Sequence, residues 1–323
     1  MQLTEIKGKG LFIFSDPGGA KPILALIKLN KIETYYIISD RKYDFFKDYG
    51  LKINVYQQND EMVVFSDYQP DFVFTGTSYT SDIELKFISE ARKRKILSIA
   101  FIDHYTRYTD RFKSDGGYVY PNKIFVTDDR AFKIALEENL NEISEVVVTG
   151  NFHHQFLLQF RPDIQKEDLF GRLKVENDKK IIIFAPDPMS NVGGKGKFGF
   201  DETDIWAIVA ETFEQHFFKK ANIVVKLHPN QNEKYFMDFV SLSKYPIVTY
   251  ADKIDVDTNT LIYYSDMVIG MYSSILVEAN LFHKQIIRCL PNPAIPDALN
   301  GMNIGKVCTE KASFLKLAKE FMK

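Results

Sequence analysis

Short apolar runs, each followed by a polar turn and an amphipathic helical pattern, recur along most of the chain. In the first half they are GLFIF (10–14), TYYIIS (34–39), DFVFTGTS (71–78) and ILSIAFID (96–103). Strands that alternate with helices form parallel sheets, because the crossover helix returns the chain to the same edge before the next strand begins. The pattern therefore predicts an α/β fold built on a doubly wound parallel sheet.

The second half repeats this pattern. Its apolar runs are KIIIFAPDP (180–188), NIVVKLHP (222–229), DMVIGMYSS (266–274) and HKQIIRCLP (283–291). A chain of 323 residues is long enough to bury two separate cores. We predict two Rossmann-like domains, residues 1–151 and 180–323, joined by a polar, charged connection at residues 152–179.

Charge and cysteine content exclude several classes of protein. The chain has 41 Lys and Arg against 43 Asp and Glu, a net charge of −2, which argues against a nucleic-acid binder that neutralises phosphates. Two cysteines form no disulfide framework, the first residues lack a signal-peptide pattern, and no run of about 18 apolar residues appears. We expect a cytoplasmic protein.

One helical segment carries a clear charge gradient. Residues 81–95 begin with acidic side chains and end with the basic run RKRK at 92–95, as the helix dipole favours. The basic run is either the solvated end of this helix or a contact with an anionic membrane surface. Peripheral membrane association therefore stays an open expectation.

Two strand ends in the second half carry polar side chains suited to a phosphate. His228-Pro229 ends one apolar run, and Ser273-Ser274 follows the next and opens a helix. Imidazole can donate to a phosphate, and the free N–H groups at a helix N-terminus attract anions. The alternatives are a histidine paired with a carboxylate and a serine that only caps the helix. Glu278, one turn further, either accepts ribose hydroxyls or faces solvent.

The first half offers a candidate general base. Asp103 ends a strand next to His104, and a carboxylate there could remove a proton from an acceptor hydroxyl. Asp16 is the rival base. It is followed by Gly18-Gly19, where the missing side chains would allow positive φ or close approach to a ligand. The alternative for Asp103 is a carboxylate that only caps the next turn.

The loop after Asp103 supplies three more charged candidates, Asp110, Arg107 and Arg111, which could bind an anionic acceptor or position the base. The sequence contains no Asp-x-Asp after a strand, no His-Glu-x-x-His, no cysteine cluster and no G-x-S-x-G turn. We therefore expect neither a metal site nor a serine nucleophile. We expect His228, Ser273-Ser274 and the helix dipole to stabilise the phosphate.

Taken together, these residues resemble the GT-B class of glycosyltransferases, which have two Rossmann-like domains with parallel sheets facing a central cleft. His228-Pro229 and Ser273-Ser274 look like the His-Pro and Ser-Ser/Thr motifs of bacterial sialyltransferases and Kdo transferases, where they hold the phosphate and ribose of CMP. The run SDMVIGMYSSILVEA also resembles CDP-glycerol glycerophosphotransferases, and Asp103-His104 resembles UDP-GlcNAc 2-epimerases. The sialyltransferase-type enzymes are inverting and metal-independent, with a first-domain carboxylate as base.

The resemblance implies a metal-independent, inverting transferase that moves an acidic sugar from a CMP-sugar to a glycan, glycolipid or other surface-polymer acceptor. Asp103 or Asp16 would be the base. His228, Pro229, Ser273, Ser274 and Glu278, with Gly18 and Gly19 in the first domain, would bind the nucleotide sugar, and no other cofactor is expected. The alternatives are CDP-glycerol glycerophosphate transfer, UDP-GlcNAc 2-epimerase-like chemistry and a non-catalytic nucleotide-sugar-binding partner.

Overall fold

The computed structural model describes residues 6–228, 231–242, 248–251, 255–297 and 299–323. The chain divides into two compact units, Met1–Gln159 and Phe160–Lys323. Each unit contains its own parallel sheet with helices packed against it.

The first unit is built on a seven-stranded parallel sheet of order β3-β2-β1-β4-β5-β8-β9. Its strands within the described residues are β1 (Gly10–Phe14), β2 (Tyr35–Ser39), β3 (Asn54–Val55), β4 (Phe72–Thr75), β5 (Leu97–Ile102), β6 (Lys113–Ser114), β7 (Gly117–Tyr118), β8 (Lys123–Val126) and β9 (Glu145–Val148). Strands β6 and β7 form an antiparallel pair outside the sheet. Its helices are α1 (Pro17–Leu29), α2 (Asp60–Asp67), α3 (Ile83–Lys93), α4 (Asp129–Glu137) and α5 (Phe152–Gln159).

The second unit is built on a six-stranded parallel sheet of order β12-β11-β10-β13-β14-β15. Its strands are β10 (Lys180–Phe184), β11 (Ala221–Val225), β12 (Val248–Tyr250), β13 (Met267–Gly270), β14 (Gln285–Cys289) and β15 (Lys306–Cys308). Its helices are α6 (Lys166–Leu173), α7 (Gly194–Phe198), α8 (Glu202–Phe217), α9 (Glu233–Leu242), α10 (Thr258–Tyr264), α11 (Ser274–Leu281) and α12 (Lys311–Phe321).

Both faces of each sheet are covered, which is why the strands are almost wholly apolar. In β1, Phe12 and Phe14 pack on the side of α1, whereas Leu11 and Ile13 pack on the opposite side with α3. A strand with two buried faces needs apolar residues at every position rather than at alternate ones. The apolar runs of the sequence are thus the central strands of the two sheets.

In each sheet the order reverses beside the first strand of the unit. The chain progresses outward from β1 in one direction through β2 and β3, then returns to place β4 on the other side. The second unit does the same around β10, with β11 on one side and β13 on the other. Ligands of doubly wound sheets bind at the carboxyl edge of such a reversal, where neighbouring loops diverge.

The prediction of an α/β chain with two parallel sheets is confirmed, and the structure adds elements that the sequence pattern did not indicate. The strand β15 and the short pair β6 and β7 have two or three residues each, too few to form a recognisable apolar run. The segment 152–179, predicted as a polar connection, contains the helices α5 and α6. Helix α5 lies in the first unit, where Phe152 joins the core beside α1.

The two cysteines lie on neighbouring strands of the second unit. Cys289 on β14 and Cys308 on β15 are buried free thiols with their sulfur atoms 3.3 Å apart. Within the described part of the chain, no helix is both long and apolar enough to cross a lipid bilayer.

Candidate functional site

The loops at the carboxyl edge of the second sheet bring the predicted phosphate residues onto neighbouring strands. His228 follows β11 and Ser273 follows β13, and these two strands flank β10 in the sheet. Pro229 lies outside the described residues. The predicted pair of strand ends therefore lies on either side of the loop that follows β10, which carries Asp187.

Asp187 holds the backbone that leads into helix α11. Its Oδ2 accepts a hydrogen bond from the Tyr272 N–H at 2.8 Å, and the N–H groups of Met271 and Ser273 also favour its charged form. Burial outweighs these contacts and raises the pKa of the Asp187 carboxyl to about 6. The N–H groups just before the helix are therefore already bound by a carboxylate of the chain itself, that of Asp187.

The helix start keeps the groups that a phosphate would contact. Ser273 is the residue before the first helical one, with extended backbone, and its hydroxyl makes no capping hydrogen bond. Ser274 is exposed in the first helical position. The Leu276 N–H already donates to the Ser273 carbonyl at 3.0 Å. The first N–H groups of a helix lack the usual carbonyl partner one turn earlier, so those of Ser274 and Ile275, with the two hydroxyls, are placed to donate to an anion.

Glu278 lies one turn further along α11 and is only 2% exposed. The alternative in which this side chain faces solvent is therefore wrong. Its assignment to ribose hydroxyls stays a prediction.

A second buried carboxylate fixes the loop that contains His228. Glu202, fully buried at the start of α8, accepts hydrogen bonds from the Ser190 N–H at 3.0 Å, from the Ser190 hydroxyl and from Gln231 Nε2 at 2.8 Å. Gln231 in turn donates its N–H to the carbonyl of His228 at 2.8 Å. Glu202 therefore ties the loop after β11 to the loop after β10, and His228, in the loop after β11, is half-buried.

In the first unit, Asp103 lies at the carboxyl end of β5 with its side chain 21% exposed. Burial raises the pKa of this carboxyl, and the negative charge of Asp16 raises it further, whereas the positive charge of Arg111 opposes the shift. The Arg111 guanidinium is 3.9 Å from Asp103 Oδ1. A carboxyl group with a raised pKa and limited exposure has the properties of a general base.

Arg111 is held in place by the loop after β4. Its Nη1 donates to the Thr77 carbonyl at 2.6 Å, and its guanidinium lies 4.5 Å from the centre of the Tyr79 ring. The side chain is only 5% exposed, which leaves little room for a bulky anionic acceptor. The arginine is therefore better suited to position Asp103. Arg107, by contrast, is exposed and lies 3.9 Å from the exposed Asp110.

The structure explains Asp16, Gly18 and Gly19 by local packing. Asp16 caps α1, with Oδ1 accepting the Gly19 N–H at 3.0 Å. A Cβ on Gly18 would lie 2.1 Å from Asp103 Oδ2, and one on Gly19 would lie 3.0 Å from the Cα of Gly76. Both glycines lie in the first turn of the helix and neither has positive φ. Glycine is needed there because neighbouring atoms approach too closely for a side chain. Their contact with a nucleotide stays a prediction.

Within the described residues, no three His, Cys, Asp or Glu side chains are grouped so that they could hold a metal ion. The site residues that the sequence analysis missed are Asp187, Glu202 and Glu84. Asp187 lies in the loop shortly after the apolar strand β10, a position similar to that of Asp103 after β5. Glu202 and Glu84 lie in first helical turns, where a sequence pattern does not distinguish a buried carboxyl from a solvated one.

Asp187 predicts a measurable pH dependence of stability. Its pKa is 3.8 in its ordinary state and about 6 in the folded chain, so its contribution to stability is complete below pH 3.8 and is lost as pH rises through 6. Asp187→Asn should abolish this decline, which we expect to be about 2–3 kcal/mol. Urea unfolding at a series of pH values measures it. The exposed Asp178→Asn is the control and should keep the wild-type dependence of stability on pH. The same dependence in Asp187→Asn would contradict the assignment.

Sequence comparison gives a partial match to a curated protein. No protein-family model matches the chain. A teichoic acid poly(ribitol-phosphate) polymerase of Bacillus spizizenii is 25% identical over 175 residues, which cover 51% of this chain. The match spans only 25% of the length of that curated relative.

Solved structures resemble the chain over nearly its whole length. UDP-GlcNAc 2-epimerase of Methanocaldococcus jannaschii has a TM-score of 0.68 at 16% identity, covering 98% of this chain and 93% of that one. The Neisseria meningitidis epimerase bound to UDP-GlcNAc has a TM-score of 0.68 at 16% identity, with 98% and 91% covered. ADP-heptose LPS heptosyltransferase II of Escherichia coli has a TM-score of 0.58 at 11% identity, with 98% of each chain covered. At these identities the likeness shows the fold, which confirms the GT-B-like prediction.

Proposed function

We propose that this chain is a transferase that moves a nucleotide-activated sugar onto a surface-polymer acceptor without a metal ion. The observation that carries the proposal is the carboxyl edge of the second sheet, where His228 and the start of α11 flank the first strand of the unit. Imidazole and helix-start N–H groups are donors for a phosphate, and this edge is where doubly wound sheets bind nucleotides. The nucleotide-sugar enzymes among the structural neighbours support it.

In the proposed reaction the second unit binds the donor and the first unit supplies the base. Asp103 takes the proton of an acceptor hydroxyl, whose oxygen forms a bond to the anomeric carbon as the bond from that carbon to the phosphate oxygen breaks. Negative charge grows on the departing phosphate, and stabilisation of that charge lowers the barrier. His228, Ser273 and Ser274 are the proposed donors, and Arg111 keeps Asp103 in place.

For the donor we propose a CMP-linked acidic sugar of the sialic, pseudaminic, legionaminic or Kdo type. The support is the resemblance of His228 and Ser273-Ser274 to the motifs of bacterial CMP-sugar transferases. A second candidate is transfer of an alditol phosphate, which the match to the teichoic acid polymerase favours. A third is epimerisation of a UDP-linked sugar, which the structural neighbours favour.

Thermal unfolding with CMP, CDP, UDP, UMP, GDP and ADP, each with and without Mg²⁺, distinguishes these candidates. We expect CMP to raise the melting temperature most, with or without Mg²⁺. A preference for CDP would favour alditol phosphate transfer, and one for UDP would favour epimerisation. A protein that binds a nucleotide but turns over none of the matching donors would be a non-catalytic partner. No shift with any nucleotide would refute the proposed function.

A further inference from the structure

The first unit buries an acidic side chain that the proposed reaction does not use. Glu84 lies in the first turn of α3 and is 2% exposed. Its Oε1 accepts the Ser15 N–H at 3.1 Å, and its Oε2 is buried with no hydrogen-bond partner among the described residues. Burial of a charged carboxylate in this way would cost several kcal/mol, so the group has a reason to keep its proton.

Glu84 lies beside a close approach between the loops after β1 and β4. A Cβ on Gly76 would be 3.1 Å from the Cα of Gly19 and 3.5 Å from Glu84 Oε1. The two loops are thus in contact at Gly19 and Gly76. The carboxyl group of Glu84 lies against Gly76 in the loop after β4 and accepts the N–H of Ser15 in the loop after β1. Any shift of Glu84 would move the loop that carries Asp16.

The charges around Glu84 are mainly negative. Asp16 faces it from the loop after β1 and Asp40 from the loop after β2, and the residues of the loop after β4, Gly76 to Tyr79, carry no charge at neutral pH. Of the cations near this edge, Arg111 is directed to Asp103 and to the Thr77 carbonyl, whereas Arg41 donates to Thr80 and interacts with the charges of Asp40 and Asp16. Burial first, then the charges of Asp16 and Asp40, raise the pKa of Glu84 to about 8.

We infer that Glu84 is a positioning residue, an uncharged carboxylic acid that fastens the Asp16–Gly19 loop against Gly76 and so keeps Asp103 in its place beside Gly18. The inference rests on the proposed function, because Asp103 is the base of that reaction. Glu84 touches no reacting atom and acts through Ser15 and the two glycines. Its proton also keeps a further negative charge away from the Asp16 and Asp103 carboxylates.

The consequence is a loss of activity at alkaline pH. When Glu84 ionises, a charge appears in a buried position beside Asp16, and the loop must move to hydrate it. A small displacement of a catalytic group can lower a rate by about 10²-fold. Glu84→Gln keeps a neutral side chain of the same shape with an oxygen for the Ser15 N–H, so its activity should persist at high pH.

The test is the pH dependence of kcat/KM for the wild type, Glu84→Gln and Glu84→Ala, with Glu137→Gln, at an exposed position of α4 in the same unit, as the control. We expect the wild type and the control to lose activity above about pH 8, at the pKa of Glu84. Glu84→Gln should match the wild type at pH 7 and retain that rate above pH 8, whereas Glu84→Ala should be slow throughout. The same alkaline loss in Glu84→Gln, or a wild-type rate in Glu84→Ala, would overturn the inference.

A second readout separates this inference from the proposed function. Urea unfolding needs no substrate, and between pH 4.5 and pH 8 wild-type stability should decline by more than that of Glu84→Gln, which keeps only the decline due to Asp187. If the wild type is inactive but shows this difference in stability, the proposed transferase activity is refuted. The inference that Glu84 is neutral and fastens the loop would then still hold. Parallel stability profiles would refute the neutral Glu84 whatever the activity.

Discussion

Replacement of Asp103 by asparagine is expected to lower kcat by about 10²–10⁴-fold, the usual contribution of a general base. Asparagine has nearly the same shape, so it keeps the contact with Gly18 and the place beside Arg111, but it cannot accept the proton of the acceptor hydroxyl. Donor binding belongs to the second unit in the proposed reaction, so nucleotide affinity should be unchanged. Steady-state turnover and nucleotide titration on the same preparation measure the two effects.

Two matched variants make this prediction specific. Asp110→Asn changes an exposed carboxylate of the same segment, whose side chain is 55% exposed, and should leave turnover unchanged. Asp16→Asn should also be tolerated, because asparagine caps a helix about as well as aspartate. A large loss in Asp16→Asn with normal turnover in Asp103→Asn would make Asp16 the base instead.

The pH profile of the wild type gives a further check on Asp103. Because burial and the charge of Asp16 raise the pKa of this carboxyl, the acid limb of kcat/KM should lie above the ordinary value of 3.8. Activity should rise with pH through this limb as the base ionises. Removal of the Asp16 charge in Asp16→Asn should move the limb to lower pH.

The architecture could be predicted from the sequence because its signal is local. Each central strand, such as β1 or β10, is a run of apolar residues that must be covered on both faces, and each is followed by a polar turn. His228, Ser273 and Asp103 were selected by the same logic, since a polar residue at or soon after the end of a buried strand lies at the carboxyl edge of the sheet. The position of that edge follows from the strand pattern of the sequence alone.

The supporting contacts could not be predicted because they join positions far apart in the chain. Asp187 binds the N–H of Tyr272 across 85 residues, Glu84 binds Ser15 across 69, and Arg111 binds Thr77 across 34. The acidic start of α3 illustrates the difficulty. A carboxylate there suits the helix dipole, but the structure buries Glu84 beneath two loops, where its uncharged form is favoured. Only the tertiary packing distinguishes these two states.

Replacement of His228 by alanine is expected to lower kcat by about 10²–10³-fold, the range for loss of one donor to a developing oxyanion. The effect should fall on kcat more than on KM, because the contact strengthens as negative charge grows on the departing phosphate. Single-turnover kinetics with a saturating donor measure it. The histidine is half-buried and its loop is fastened by Glu202 and Gln231, so the variant should stay folded.

The exposed His216→Ala on α8 is the control for His228→Ala, and it should keep the wild-type rate. Glutamine at position 228 can still donate a hydrogen bond through its side-chain amide but carries no positive charge. A rate for His228→Gln well above that of His228→Ala would show that donation suffices, whereas equal losses would show that a charged imidazolium is needed. Full activity in His228→Ala would remove this histidine from the phosphate site and leave the start of α11 as its remaining anion-binding element.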